Sequence, residues 1–405
     1  MQPVAIAARV NVRPREVLLS CVFLLLTVSA AMVFSASAFH YLLVEDTHYF
    51  LKRQLLWVPT ALVVMLLVYQ IDYRLYQRYY GWVLVATVGL LALVLVPGIG
   101  IEVNHSRRWL PIGGGIRFQP SEIGKLAVVL SIAGFLTNDP ERTQRFWRGF
   151  VPAVLGVLVV FALTLLEPDL GTSAFVIGLA GLLVLVAGMR VWYLLGSMLV
   201  FAPILAGFVW VRWEMVVHRF QGLLDPESLH QLRHSLRALG SGGWTGLGLG
   251  AGLQKLRYLP ESHTDFIFAV IGEELGFVGC VGVIAIFVGL VWAGAAIAWR
   301  ARDSFGFLVA SGITIALGFQ AAVNIAVVTA SAPTKGIALP FVTFGGTGLC
   351  TTMAQIGVLL SIARVSENTE EDVAAVAMPA REERADEDGK KRSDERCESS
   401  AGRTK

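Results

Sequence analysis

Charge is what this chain is short of. Only 16% of its 405 residues are Asp, Glu, Lys or Arg, against about 25% in ordinary soluble domains. The charges that exist are clustered, and long uncharged stretches separate them. Cysteine is scarce too. Cys21, Cys280 and Cys350 fall in predicted helices and Cys397 in the tail, and no spacing among them suggests a metal knuckle or a disulfide framework. All seven histidines fall in segments expected outside the membrane. Only His230 and His234 stand one helical turn apart, so a histidine metal site is not expected. No internal repeat of about 20–50 residues is present. A glycine-rich phosphate loop after a strand is missing, as are Ser-x-x-Lys and Gly-x-Ser-x-Gly nucleophile motifs.

What the chain has is apolar length, with 55% hydrophobic residues. A membrane span needs about 20 of them in a row. The windows are 17–44, 54–71, 79–101, 119–138, 149–166, 170–189, 191–211, 265–299, 304–332 and 344–363. They predict an all-α polytopic membrane protein of about ten helices, two of them longer than one bilayer. The first window has a basic lead (Arg9, Arg13, Arg15) and an Ala-x-Ala-like site at Ala36-Ser37-Ala38. It is longer than a signal-peptide core and reads as a retained helix. Arg74 and Arg78, Arg142, Arg145 and Arg148, Arg190, Arg300 and Arg302, and Arg364 all fall on one side with the N-terminal arginines. By the positive-inside bias both termini are therefore cytoplasmic. Residues 1–16 form a cytoplasmic lead and 17–365 the membrane domain. Residues 366–405 mix acids and bases without an aromatic and read as a disordered cytoplasmic tail. The largest outer loop is 212–264, between helices seven and eight.

The outer segments carry charge of the wrong sign for insertion. Arg107, Arg108 and Arg117 lie in 99–118. Arg212, Arg219, Arg233, Arg237, Lys255 and Arg257 lie in the large loop, and Lys335 precedes the last helix. Long loops tolerate such charge; an anionic ligand at the outer surface would require it, because arginine forks match phosphate oxygens. Trp109 beside Arg107-Arg108 fits an interface anchor or a sugar-stacking platform.

Charges inside spans are the second anomaly. Glu122 and Lys125 share one helix face and pair; intramembrane ionisable residues also mark functional sites. Glu167 and Asp169 flank Pro168, where a capping turn and a site role are both open. Glu273 and Glu274 point about 100° apart and are not expected to face one partner. Asp265, with Thr264, opens a helix, which makes an N-cap its local explanation. Facing outward at the end of the basic loop, it could also act as a general base or hold a divalent cation.

Four stretches then carry a resemblance: SRRWLPIGGGIRFQPSEIGKLA (106–127), EPDLGT (167–172), ALGSGGWTGLGLGAGLQKLRYLPESHTDFIFAVIGEELG (238–276) and PTKGIALPFVTFGGTG (333–348). Together they are similar to the SEDS family (shape, elongation, division and sporulation), polytopic glycosyltransferases that polymerise peptidoglycan. The resemblance covers 15–365. It implies ten helices and a reaction at the outer leaflet. There an acceptor sugar hydroxyl attacks the anomeric carbon of lipid II, and undecaprenyl pyrophosphate leaves. It implies Asp265, in HTDFIF, as general base, with cation coordination secondary and no certain cofactor. It implies Trp109 and the pair Glu122/Lys125 as functional residues. Arg107, Arg108 and Lys335 become candidates for the pyrophosphate or the glycan end.

SRRW and PTKG resemble the division-type members more than the elongation-type. His230-Gln231, His234-Ser235-Leu236, GLGLG (246–250) and VTFGGTG (342–348) depart from the family pattern, which touches partner contacts and acceptor handling more than the reaction. The expected partners are lipid II, the nascent glycan, a single-span class B penicillin-binding protein and other division or elongation membrane proteins, with no nucleic acid. The bacterial cytoplasmic membrane, including the division septum, is the expected location. Competing readings are a lipid II flippase, an elongation-type polymerase of the same family that serves cell shape, and a non-catalytic division scaffold.

Overall fold

The computed structural model describes residues 13–37, 49–103, 106–113, 116–211, 225–254, 264–334 and 336–367, with 213, 217 and 223 between. Each of the ten apolar windows falls on a helix: α1 (Pro14–Ser37), α2 (Tyr49–Gln70), α3 (Tyr73–Leu95), α4 (Pro120–Thr137), α5 (Val151–Leu166), α6 (Leu170–Val186), α7 (Val191–Val211), α9 (Ile267–Trp299), α10 (Ser304–Val328) and α11 (Gly346–Glu367). Among the described residues, eight helices are long and apolar enough to cross a membrane, and Leu170–Val186 is a shorter apolar one. The chain is thus a multi-pass membrane protein.

Greasy surface between helices in lipid supplies no hydrophobic drive, so close packing must hold them. Small residues allow it here. Gly312 of α10 meets Val129 of α4, and Gly294 of α9 meets Thr314 of α10, at spacings that leave no room for a Cβ. α10 touches α9, α4 and α6, which places it at the centre. α2 and α3 are peripheral and leave Leu55, Leu66, Leu67, Trp82 and Val85 exposed.

Two elements that hydropathy does not signal are built at the end of the bundle expected to face outward. Between α3 and α4 the chain forms an antiparallel sheet of β1 (Ile101–Val103), β2 (Ser106–Gly113) and β3 (Ile116–Phe118), in the order β1-β2-β3. Within the large outer loop, α8 (His230–Ser241) packs on α9. Its Ser235 hydroxyl donates to the Val328 carbonyl at 2.7 Å, and His234 Nδ1 pairs with Gln254 Oε1 at 2.8 Å. His234 is buried. Ser366 and Glu367, assigned to the tail by sequence, complete α11, where Glu367 pairs with Arg15 at 3.1 Å. Residues 368–405 lie outside the described residues.

The long window 265–299 is not one straight span. At 33 residues α9 would be about 50 Å long. It breaks at Gly276, whose φ of 68° and ψ of −165° no helix contains. The stretch 277–299 then rises about 34 Å, one bilayer. Asn324, about 30 Å up α10 from Ser304, donates to the Asp265 carbonyl at 2.8 Å. Asp265 therefore lies level with the break, and the stretch 267–275 runs across the bundle rather than along it.

A glycine-rich loop closes the break. The Phe277 and Val278 amides donate to the carbonyls of Gly243 and Trp244 at 2.9 and 3.2 Å. The Leu247 and Gly248 amides donate to the carbonyls of Glu273 and Glu274, both at 3.0 Å. The two backbones cross so closely that a Cβ on Gly242 would strike the Gly272 carbonyl and one on Gly246 the Glu274 carbonyl. Both glutamates belong to the same joint, and each takes its own partners there, as their diverging directions lead one to expect. Glu273 accepts the Leu253 and Gln254 amides at 2.7 and 3.1 Å. Glu274 accepts the Gly250 amide at 3.0 Å and the Ser35 hydroxyl at 2.6 Å. Their side chains do diverge, but the loop curves around both.

Candidate active site

At the end of the bundle expected to face outward, the helices surround a cleft of about 840 Å³. The β-sheet supplies one wall with Arg108, Trp109 and Arg117. The first turns of α4 supply Glu122 and Lys125. α2 adds Arg53 and Trp57, α10 adds Gln320, and the 336–349 segment supplies much of the remaining lining. Asp265 enters from the turn before α9.

Asp265 is not the helix cap that the sequence suggests. The N-cap position falls on Phe266, and Asp265 sits one residue outside, in the turn 264–266. Its backbone is fixed by Asn324, whose amide also donates to the Ile337 carbonyl at 2.8 Å. A Cβ on Gly336 would come to 3.1 Å from an Asp265 carboxylate oxygen. Gly336 follows Lys335, which itself lies outside the described residues.

Glu122 and Lys125 are paired at 2.8 Å. The ammonium also donates to Gln320 Oε1 at 2.9 Å and stands 5.4 Å from the Phe175 ring centre. Gln320 in turn donates to the Ala338 carbonyl at 2.9 Å. One chain of polar contacts thus ties α4 through α10 to the cleft wall. A charge 5% exposed is tolerated because each of these partners satisfies it.

Arg108 reaches the cleft from β2 and pairs with Asp169 at 3.3 Å. Asp169 caps α6 by accepting the Thr172 amide at 3.0 Å and hydroxyl at 2.9 Å. The capping turn and the contact to a cleft residue therefore coexist in one carboxylate. Glu167, next to it, is fully buried, and neither of its carboxyl oxygens has a hydrogen-bond partner. Burial first, and then the neighbouring Asp169 charge, push its carboxyl up to about 8, against the opposing pull of Arg108.

Arg107 is not brought into the cleft. It stands opposite Glu102 in the β1–β2 register and pairs with it at 3.1 Å on the exposed side, an ordinary cross-strand charge pair. Arg53, Trp57 and Gln320 line the cleft without having been singled out by sequence. The signal for Arg53 was present in Lys52-Arg53 at the outer end of the second helix. Among the described residues no three His, Cys, Asp or Glu side chains converge as a metal cage. Glu122 and Asp265 are the acids among the cleft's lining residues, and no metal-dependent step is derived from them.

This combination defines a class: a polytopic helical membrane protein with a basic, polar cleft under a small sheet at one end of its bundle. Residues 15–368 match the FtsW/RodA/SpoVE family, described as cell cycle protein. The chain belongs to that family. It is 39% identical over 351 residues to a probable peptidoglycan glycosyltransferase FtsW of Geobacter sp. (strain M18), covering 85% of this chain and 94% of the relative. It is 38% identical over 361 residues to the stage V sporulation protein E of Bacillus subtilis (strain 168), covering 87% and 98%. Among solved structures, a chain of a peptidoglycan synthase complex that coordinates polymerization and crosslinking superposes with a TM-score of 0.69 at 29% identity, over 85% of this chain and 98% of that one. The rod shape determining protein RodA of Thermus thermophilus gives 0.64 at 29% identity, over 86% and 95%.

Proposed function

We propose that this chain is a peptidoglycan glycosyltransferase that polymerises lipid II into glycan strands at the outer face of the bacterial cytoplasmic membrane. The observation that carries this reading is the meeting of Asp265, the Glu122–Lys125 pair and three arginines in one cleft at the outer ends of the helices. Asp265 takes the proton of the acceptor hydroxyl as that oxygen attacks the anomeric carbon of the donor. The bond to the lipid pyrophosphate breaks on the opposite face, with inversion. The pyrophosphate leaves with its developing negative charge set against fixed cations, of which Arg53, Arg108 and Arg117 are the described candidates. Lys335 remains a candidate from sequence. Trp109, in the same wall as Arg108, offers a face for a sugar ring.

The names of the FtsW relatives favour septal synthesis, and the synthase-complex neighbour favours a crosslinking partner. We assign the partner as a class B penicillin-binding protein, since no transpeptidase motif occurs here. A flippase would need groups leading to the inner face, whereas the charged residues of this cleft lie on the sheet, in the turn before α9 and in the first two turns of α2 and α4.

The deciding experiment supplies labelled lipid II in detergent, with the partner transpeptidase present. Wild type is expected to make long glycans and Asp265→Ala none. Normal polymerisation by Asp265→Ala sinks the site assignment. A wild type that makes no polymer but moves lipid II across vesicles moves the reading to transport.

A further inference from the structure

The joint at Gly276 leaves one apolar surface exposed among the described residues. Trp244, Leu247, Leu249 and Leu253 project from the 242–254 loop and are exposed. The same loop spends its polar backbone inward. The amides of Leu247, Gly248, Gly250, Leu253 and Gln254 all end on Glu273 or Glu274, and Ala251 donates to the Gly248 carbonyl at 3.1 Å. A loop with apolar side chains outward and most of its amides turned inward suits the membrane interface, where headgroups and water reach the remaining backbone groups, whereas irregular backbone is excluded from the hydrocarbon itself.

Its neighbours say what it sits against. Phe277, Val278, Val281, Ile284, Val288 and Trp292 are exposed along α9, an apolar stripe that faces out from the described bundle. The Trp244 ring joins the top of this stripe, edge-on to Phe277 at 5.2 Å between ring centres. Trp299, exposed, ends the stripe at the other side. From Phe277 to Trp299 the helix rises about 33 Å, close to the roughly 30 Å hydrocarbon core. Tryptophans at both ends of that distance mark the two interfaces.

We propose that residues 244–253 form a membrane-interface strap, with Trp244, Leu247, Leu249 and Leu253 seated among the headgroups and upper chains of the outer lipid leaflet. Glu273 and Glu274 are its inner anchors. The strap holds the break in α9 at a fixed depth, and through the stretch 267–275 it holds Asp265 level with the outer headgroups. That last step rests on the role proposed for Asp265. The lipid contact does not, and it is measured without any activity.

Leu249→Cys and Leu253→Cys, on a background with Cys350 and Cys397 replaced by serine, are labelled with bimane and reconstituted in phosphatidylethanolamine/phosphatidylglycerol vesicles. Phe277→Cys serves as the lipid-facing control and the exposed Glu141→Cys as the water-facing control. Strap labels should be quenched by brominated lipids, most by bromines near the glycerol, and several-fold less by iodide than the Glu141 label. Quenching by iodide as strong as at Glu141 overturns the proposal. So does quenching by neither agent, which means that protein covers the strap. Should the cysteine variants fail to fold, the difference emission between wild type and Trp244→Phe reads the same contact. It is expected to be blue-shifted and quenched by the brominated lipids, and a red-shifted spectrum untouched by them also overturns it.

Discussion

Asp169 holds Arg108 at 3.3 Å while the same carboxylate caps α6 through Thr172. Asparagine at 169 can keep the cap and lose the charge pair; alanine loses both. Asp169→Asn is therefore expected to raise the KM for lipid II about tenfold, the effect of roughly 1.4 kcal/mol in binding, with kcat little changed. Asp169→Ala adds the cap loss, about 1 kcal/mol of stability, visible as a lower melting temperature in detergent. Steady-state polymerisation and thermal melting separate the two effects. An equal fall in kcat for Asp169→Asn would argue against a role through Arg108.

Lys125 should be more sensitive to removal alone than to removal with its partner. Lys125→Met strands the Glu122 carboxylate and Gln320 Oε1 in a buried setting, at a cost of about 3–5 kcal/mol. The double change Glu122→Gln with Lys125→Met should recover much of that stability without recovering polymerisation. A double-mutant cycle on melting temperature and on glycan yield tests both halves.

Glu167 gives a pH signature. Its carboxyl is raised in the folded chain from 4.5 to about 8. Between those values the folded state holds a proton that the unfolded state has released. Stability therefore falls as pH rises from about 4.5 to about 8 and flattens beyond. Glu167→Gln should remove this slope and leave the chain more stable than wild type near neutral pH, by a few kcal/mol at most. Melting curves at several pH values decide it, and an unchanged slope in the variant would refute the assignment.

The crossing at Gly276 predicts a backbone phenotype. Gly246→Ala places a Cβ against the Glu274 carbonyl at a φ of 80°, so strain and collision combine. It should lower both melting temperature and polymerisation severely, while Gly240→Ala, with open space at its Cβ, should do neither. Glu273→Gln should fall between them, costing about 1–3 kcal/mol through weakened bonds to the loop amides.

Hydropathy made the ten helices legible because lipid demands long apolar runs and little else in the chain supplies them. The sheet was not legible, since three short strands in a glycine-rich outer segment leave no period to count. Nor was the break in α9, because glycine is common within membrane helices. Most described partners of Glu273 and Glu274 could not have been read: apart from the Ser35 hydroxyl they are backbone amides, which no letter of the sequence distinguishes. Asp265, Trp109, Glu122, Lys125 and Arg108 were legible through their motifs, and all of them line the cleft. Arg107 was misplaced because its neighbour in the motif says nothing of Glu102 across the strand.

The crossing of the 242–248 loop with the helix break has a consequence for inheritance. Every missense change of a glycine codon adds a Cβ, whichever amino acid results. At Gly242, Gly246 and Gly276 the obstacle is main chain, which no second substitution nearby can trim away. These codons are expected to have no tolerated missense neighbours, so a saturation library selected for growth should retain only glycine at the three positions. The exposed leucines a few residues away should accept one another and most other apolar residues.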